Sequence, residues 1–189
     1  LLLSLIILGT TTAYGQLVEA TTSEQRRQSI EQYQEMRQNS IFKEYPVRNV
    51  GPVVMSGRVI DIAVHEQRPS HFYVAYASGG VFETTNSGNT MTPIFDNQGS
   101  LTIGDIAISK ADKNILWVGT GENNSSRSSY AGAGIYKSTD GGENWTFSGL
   151  RGSQHIGRIL THPENPDIAW VASMGPLYSM NDVRGIYKT

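Results

Sequence analysis

The sequence predicts an all-β chain made of about three repeated four-stranded antiparallel units, stacked radially as the blades of a β-propeller, the third incomplete. Three observations carry this. From Tyr45 onward the chain consists of short alternating apolar runs punctuated by Gly, Asn, Asp and Pro. The stretches "GRVIDIAVHEQRPSHFYVAYASGGVFETT", "IGDIAISKADKNILWVGTGE" with "GAGIYKSTDGG", and "IGRILTHPENPDIAWVASMG" with "RGIYKT" repeat one theme. Aligning Phe82, Tyr136 and Tyr187 puts Thr84, Ser138 and Thr189 in one column, a period of 51 to 54 residues that suits a four-stranded blade.

The elements follow in chain order. "LLLSLIILGTTTAYGQ" opens with an apolar run of signal-peptide character and an Ala13-x-Gly15 site, so residues 1–15 read as a signal-peptide remnant on an exported chain. The run lacks an initiator methionine and a basic flank, and the chain reads as an amino-terminal fragment. Its nine residues are too few for a bilayer span, which takes about 20. Membrane contact is expected only through the export signal. Residues 16–45, rich in Gln, Glu and Arg, predict a polar helical leader capped by Ser23, with a thin apolar stripe of Ile30, Tyr33 and Met36.

Residues 46–189 form the blades, with units near 57–97, 103–150 and 156–189. Unit one predicts strands A near 58–65, B near 71–77, C near 80–85 and D near 91–96. Unit two predicts them near 104–109, 114–120, 133–138 and 144–149, and unit three has A near 157–162, B near 168–173 and C from about 185. "HEQRPSH", "SKADKN" and "THPENPD" supply the Pro, Asn and Asp of the A-to-B turns.

Composition excludes several functions. The chain has 189 residues, a net charge of -2 and no basic stripe, so nucleic acid is not an expected partner. Without cysteine it has neither disulfides nor thiol nucleophiles, and its four histidines show no metal-binding spacing. No metal and no cofactor is expected.

"KSTDGGENW" occupies the C-to-D joint of unit two. In Ser138-x-Asp140-x-Gly142-x-x-Trp145 the carboxylate can accept the turn's own N–H groups, Gly142 can take positive φ, and Trp145 can fold over the joint as an apolar lid. Unit one has a weakened copy, Thr84-x-Asn86-x-Gly88-x-x-Met91. A calcium loop would need further oxygen ligands and a closing glutamate. A hairpin clip is needed in every blade, whereas an active site is needed once, so these positions read as structural.

This pattern resembles the Asp-box, or bacterial neuraminidase repeat, shared by sortilin amino-terminal domains, photosystem-assembly factors, xyloglucanases and sialidases. Residues 45–189 look most like exported bacterial proteins described as sortilin-like or as glycosyl hydrolases with these repeats. The resemblance implies a propeller and leaves the activity open. The sialidase version is weakened because "YPVRNV" does not match that group's F/Y-R-I-P motif.

Function is expected on the face opposite the boxes, where "GENNSSRSSYAGAG" and "SMGPLYSMNDVRG" form long B-to-C loops. Arg58, Asp105 and Arg158 align at the start of strand A in "GRV", "GDI" and "GRI" and border the channel mouth, with His155 just before strand A of unit three. Tyr130 and Tyr178 are loop aromatics suited to stacking on sugar rings. Asp105 and Glu122 are the acids placed to act in glycoside hydrolysis, while the arginines could instead hold them as ion pairs. The leading expectation is a secreted or periplasmic recognition module for a peptide, protein or glycan, completed by remaining blades of a longer chain. A xyloglucanase-like hydrolase is the alternative, and an inert structural module the third possibility.

Overall fold

A computed structural model describes residues 21–45, 57–126 and 129–189. The apolar run, the Ala13-x-Gly15 site, the start of the leader and "YPVRNV" beyond Tyr45 lie outside the described residues.

Helix α1 spans Ser23–Gln38. Its N-cap is Thr22 rather than Ser23: Gln25 N–H donates to Thr22 Oγ1 at 3.2 Å and Thr22 N–H donates back to Gln25 Oε1 at 2.8 Å, a reciprocal capping box. Arg27 pairs with both Glu24 and Glu31, so the helix is supported largely by its own surface. No residue of α1 is buried. It rests on the β-structure through Ile30, which lies directly against Gly99, and through Arg37, which donates to Asn97 Oδ1 at 2.7 Å.

Among the described residues, eleven strands form three antiparallel sheets. The first runs β1 (Val59–Val64), β2 (Phe72–Tyr76), β3 (Gly80–Thr84) and β4 (Thr92–Pro93). The second runs β5 (Ile103–Ile108), β6 (Leu116–Thr120), β7 (Ile135–Ser138) and β8 (Thr146–Gly149). The third holds β9 (Ile156–Thr161), β10 (Ala169–Ser173) and β11 (Gly185–Lys188) in the same order. β4 is shorter than the expected 91–96, although Ile94 N–H still donates to Val81 O at 3.0 Å just beyond it.

Strands β1, β5 and β9 pack beside one another and are the inner strands of successive blades. One core joins blades one and two, with Tyr73, Ala75, Val81 and Phe95 facing Ile106, Leu116, Val118 and Tyr136. Another joins blades two and three, with Trp117 and Ile135 facing Ile156, Ile159, Ala169 and Val171. Blade two is thus covered on both faces, and every position of β6 is buried. Its unbroken apolar run "LWVG" follows from that.

The box hairpins are closed as their chemistry dictates. Ser138 Oγ accepts from Gly142 N–H at 2.9 Å and donates to Asp140 Oδ1 at 2.7 Å, and Asp140 Oδ1 also accepts from Asn144 N–H at 2.9 Å. Asn144 and Ser138 together hold the Asp140 carboxyl down at about 2. Gly141 and Gly142 take φ of 74° and 99°, the left-handed region this turn requires. The weakened copy has the same geometry: Gly88 N–H donates to Thr84 Oγ1 and Thr90 N–H to Asn86 Oδ1, both at 2.9 Å.

Trp145 does more than cover its own joint. Its indole N–H reaches the carbonyls of Ile94 at 2.8 Å and Gly142 at 3.0 Å, and its ring meets Phe95 edge-on with centroids 5.0 Å apart. The tryptophan of blade two therefore clasps blade one.

Candidate functional site on the loop face

The A-to-B turns and box hairpins share one face, where Gly141 N–H bonds Asn114 O at 2.8 Å and Ser87 N–H bonds Ser70 O at 2.9 Å. On the opposite face the B-to-C and D-to-A loops are sewn together. Gly121 N–H donates to Thr102 O at 2.7 Å, Gly132 N–H to Gln154 O at 2.6 Å, and Met174 N–H to His155 O at 2.9 Å. At Gly121, φ is 90° and an added Cβ would sit 1.7 Å from Gln154 O, so the glycine is what allows this close approach.

Glu122, fully buried, is the centre of this face. Its carboxylate accepts from Arg58 Nη2 at 2.5 Å, Ser129 Oγ at 2.5 Å and Asn124 N–H at 2.7 Å. Burial alone would raise this carboxyl, but the hydrogen bonds from Ser129, Arg58 and Asn124 outweigh it and hold the group below its usual value. Arg58 also donates to Ser126 Oγ at 2.9 Å. His155 Nδ1 lies 2.7 Å from the Glu122 carbonyl, which can only accept, so Nδ1 carries the proton. Burial lowers the His155 pKa, which keeps the imidazole neutral near pH 7. Tyr178 reaches back from the blade-three loop, its hydroxyl 3.5 Å from Ser126 O. Tyr130 and Tyr178 are 59% and 77% exposed and form the aromatic part of the surface.

Asp105 belongs to a second cluster. It is 2% exposed and accepts from Ile159 N–H at 2.6 Å and from Arg158 Nη1 at 3.2 Å, the same nitrogen that lies 3.8 Å from Asp61 Oδ2. Burial pushes its carboxyl up to about 7; the Ile159 amide opposes this and Asp61 adds to it. Arg158 was expected to lower its acid neighbour, but with 61% of its side chain in solvent it offsets only part of the burial.

The strand register corrects one expected alignment. Opposite partners are Asp61↔Ala75, Asp105↔Gly119 and Arg158↔Ala172, each just after a bulge, so Asp61, not Arg58, is the blade-one equivalent of Asp105 and Arg158. The shared "GR" of blades one and three misled because Arg58 precedes the bulge and Arg158 follows it. Counting from the turns finds the true match. His65, Ser109 and His162 close the three A-to-B turns through their amides, and Asp61, Asp105 and Arg158 each lie four residues earlier.

The structure thus gathers Arg58, Glu122, His155 and Tyr178 around the loop that carries Tyr130, and places Asp105 and Arg158 in a separate inner-strand cluster. Asp61, Asn124, Ser126 and Ser129 escaped the sequence reading. The turn-anchored count could have found Asp61; nothing in the serine-rich loop singles out Ser129. Among the described residues no group of three or more metal-ligating side chains converges. No described helix is long and apolar enough to cross a membrane.

No family model matches this sequence, and no curated protein matches it. Among solved structures, an ancestral GH74 enzyme matches 72% of this chain with 18% of its own, at 18% identity and a TM-score of 0.54. The fold is a β-propeller. The GH74 enzyme of Niastella koreensis matches 69% of this chain at 23% identity with a TM-score of 0.45 over 21% of its length. PorZ of Porphyromonas gingivalis, an essential surface component of the type-IX secretion system, matches 68% at 25% identity with a TM-score of 0.47 over 17% of its length. The chain spans about a fifth of the length of these three structures.

Proposed function

We propose that this chain is the recognition part of an exported Asp-box propeller, secreted or periplasmic, whose B-to-C and D-to-A loops bind a glycan or a peptide. The supporting observation is the joining of three blades at one polar centre: Arg58 of blade one bonds Glu122 and Ser126 of blade two, and Tyr178 of blade three meets Ser126. Such cross-links hold the loop face in one shape, so that the exposed Tyr130 and Tyr178 are presented with little ordering left to do on binding. Tyrosine faces beside amide and hydroxyl groups suit a sugar ring or a polar peptide.

A glycoside hydrolase on the same scaffold, xyloglucanase-like in its substrate, has one observation in its favour, the Asp105 carboxyl raised to about 7 as a general acid requires. Against it, Asp105 and Glu122 are 2% and 0% exposed and each already accepts hydrogen bonds from protein donors. The test is calorimetric titration with xyloglucan oligosaccharides and a peptide panel, in parallel with a hydrolysis assay. Binding weakened at least about tenfold by Tyr178→Ala or Tyr130→Ala, without hydrolysis, supports recognition. Hydrolysis lost in Asp105→Asn or Glu122→Gln with the fold intact replaces it by the enzyme reading. Binding indifferent to both tyrosines moves the ligand off this face.

A further inference from the structure

Two histidines close the A-to-B turn of blade one. His65 N–H donates to His71 O at 3.0 Å, and the two rings stack with centroids 4.5 Å apart and planes at 21°. Blades two and three carry Ser109 with Ile115 and His162 with Ile168 at the same places, so the paired imidazoles belong to blade one. His71 Nε2 lies 2.7 Å from Glu83 Oε1, and a carboxylate only accepts, so Nε2 carries the proton. His71 Nδ1 is buried and has no hydrogen-bond partner. The Tyr73 ring follows, its centroid 5.3 Å from that of His71, and its hydroxyl donates to Gly141 O in the box turn of blade two at 3.4 Å. Beside this contact Lys113, in the A-to-B turn of blade two, reaches Glu66 of the blade-one turn at 3.8 Å.

We propose that the stacked His65–His71 pair is an acid-sensitive latch, which ties the A-to-B turn of blade one to the box turn of blade two while both rings are uncharged and releases it when they take up protons. A proton added to His71 goes to Nδ1, where the new N–H is buried without an acceptor. A proton added to His65 charges a ring that is 6% exposed and pressed against another imidazole. The charged groups facing the pair are Arg68 within the turn, Lys113 from blade two, Glu83 from β3, and Glu66, which Lys113 holds. Burial above all, then a charge on His71, Arg68 and Lys113, hold His65 below its ordinary value of 6.5, and Glu83 opposes them only in part. A histidine lowered in the folded state contributes stability that is complete above 6.5 and is lost as pH falls through the lower folded value. On the opposite face Glu122 lies below its ordinary 4.5, so its bond to Arg58 keeps its charge in mild acid. Mild acid thus loosens the seam between blades one and two from the box face while the loop face stays joined.

Nuclear magnetic resonance of the full chain from pH 8 to 5, with thermal unfolding over the same range, tests this. The chain has four histidines, so each imidazole can be followed separately. In the parent the His65 ring titrates below 6.5, and the Gly142 amide, which shares a peptide group with the Gly141 carbonyl, moves with the same midpoint. Glu83→Gln removes the one carboxylate beside the pair and lowers the His65 midpoint further. His65→Gln leaves the Gly142 amide flat, and its Tm rises relative to the parent by about 3 °C or more between pH 8 and 5. A merely structural pair gives a Tm difference that does not change with pH. The parent titration and Glu83→Gln decide the matter even where His65→Gln does not fold. A His65 midpoint at or above 6.5, a midpoint unmoved or raised in Glu83→Gln, a Gly142 amide that does not follow His65 in the parent, or a constant Tm difference from pH 8 to 5 overturns the latch.

Discussion

Arg58 of blade one donates to the fully buried carboxylate of Glu122 in blade two at 2.5 Å, across 64 residues of sequence. Removing only the cation leaves a buried charge with hydroxyl and amide donors alone. Arg58→Ala is expected to cost about 3 kcal/mol, and Arg58→Ala with Glu122→Gln to recover most of it. Denaturant unfolding of the three variants measures this, and equal losses in the single and double variants would contradict it.

The same carboxylate sets an acid limit. Its folded pKa lies below the usual 4.5, so its contribution is complete above that value and is lost as pH falls through the lower folded one. Unfolding midpoints of parent and Glu122→Gln should begin to converge as pH falls below the ordinary value of 4.5, and a gap that stays constant throughout acidification would refute the assignment.

In the strict box, the hydroxyl is buried and the carboxylate exposed. Ser138 is 1% exposed and serves both Gly142 N–H and Asp140. Ser138→Ala should therefore cost about 2 kcal/mol and Asp140→Ala about 1 kcal/mol, with no change in ligand affinity once folding is accounted for. Chemical denaturation gives the ranking, and a folded Asp140→Ala chain that has lost a ligand would make the box functional.

Trp145→Phe keeps the ring against Phe95 but loses the bond to Ile94 O. About 1 kcal/mol is expected, and it should appear as faster hydrogen exchange in β4 and the loop after it as well as in the box hairpin. Exchange changes confined to residues 138–146 would mean that the indole acts only within its own turn.

Blade three presents to solvent a face that blade two uses internally. By register, Leu160, Trp170, Ile186 and Lys188 correspond to Ala107, Trp117, Ile135 and Lys137. Ile135 is 2% exposed and Ile186 73%. Lys137 pairs with Asp167 of the following blade at 2.8 Å, so the surface is suited to a further blade with an acid in its A-to-B turn. Ile186→Lys with Leu160→Lys is expected to reduce self-association of this chain in sedimentation, and unchanged association would show that the face is not adhesive.

The strands were legible because alternation, turn residues and a 51-to-54-residue period all mark the same places. The box was legible because its bonds are local, between residues two to four apart. What escaped depends on position rather than pattern. The bulge between Val59 and Asp61 displaced Arg58 from the column it seemed to share with Asp105, and the difference in exposure between Asp105 and Arg158 decides a titration that residue identity alone assigned to an ion pair. The Arg58–Glu122 bond needs two blades stacked before it exists, so no short window contains it. The signal-peptide boundary and the start of the leader fall on residues outside the described structure.

The clasp of Trp145 on Ile94 has a directional meaning. The residue that secures the joint is made 51 positions after the one it grips, and the Ile159 amide follows its acceptor Asp105 by 54. Each blade arrives on the ribosome carrying the fasteners for the blade already emerged. Assembly then proceeds as growth at one end, with loop closures that stay near one repeat however long the array becomes. Nascent chains arrested shortly after Trp145 has left the exit tunnel should already protect blade one from protease, and those arrested before it should not.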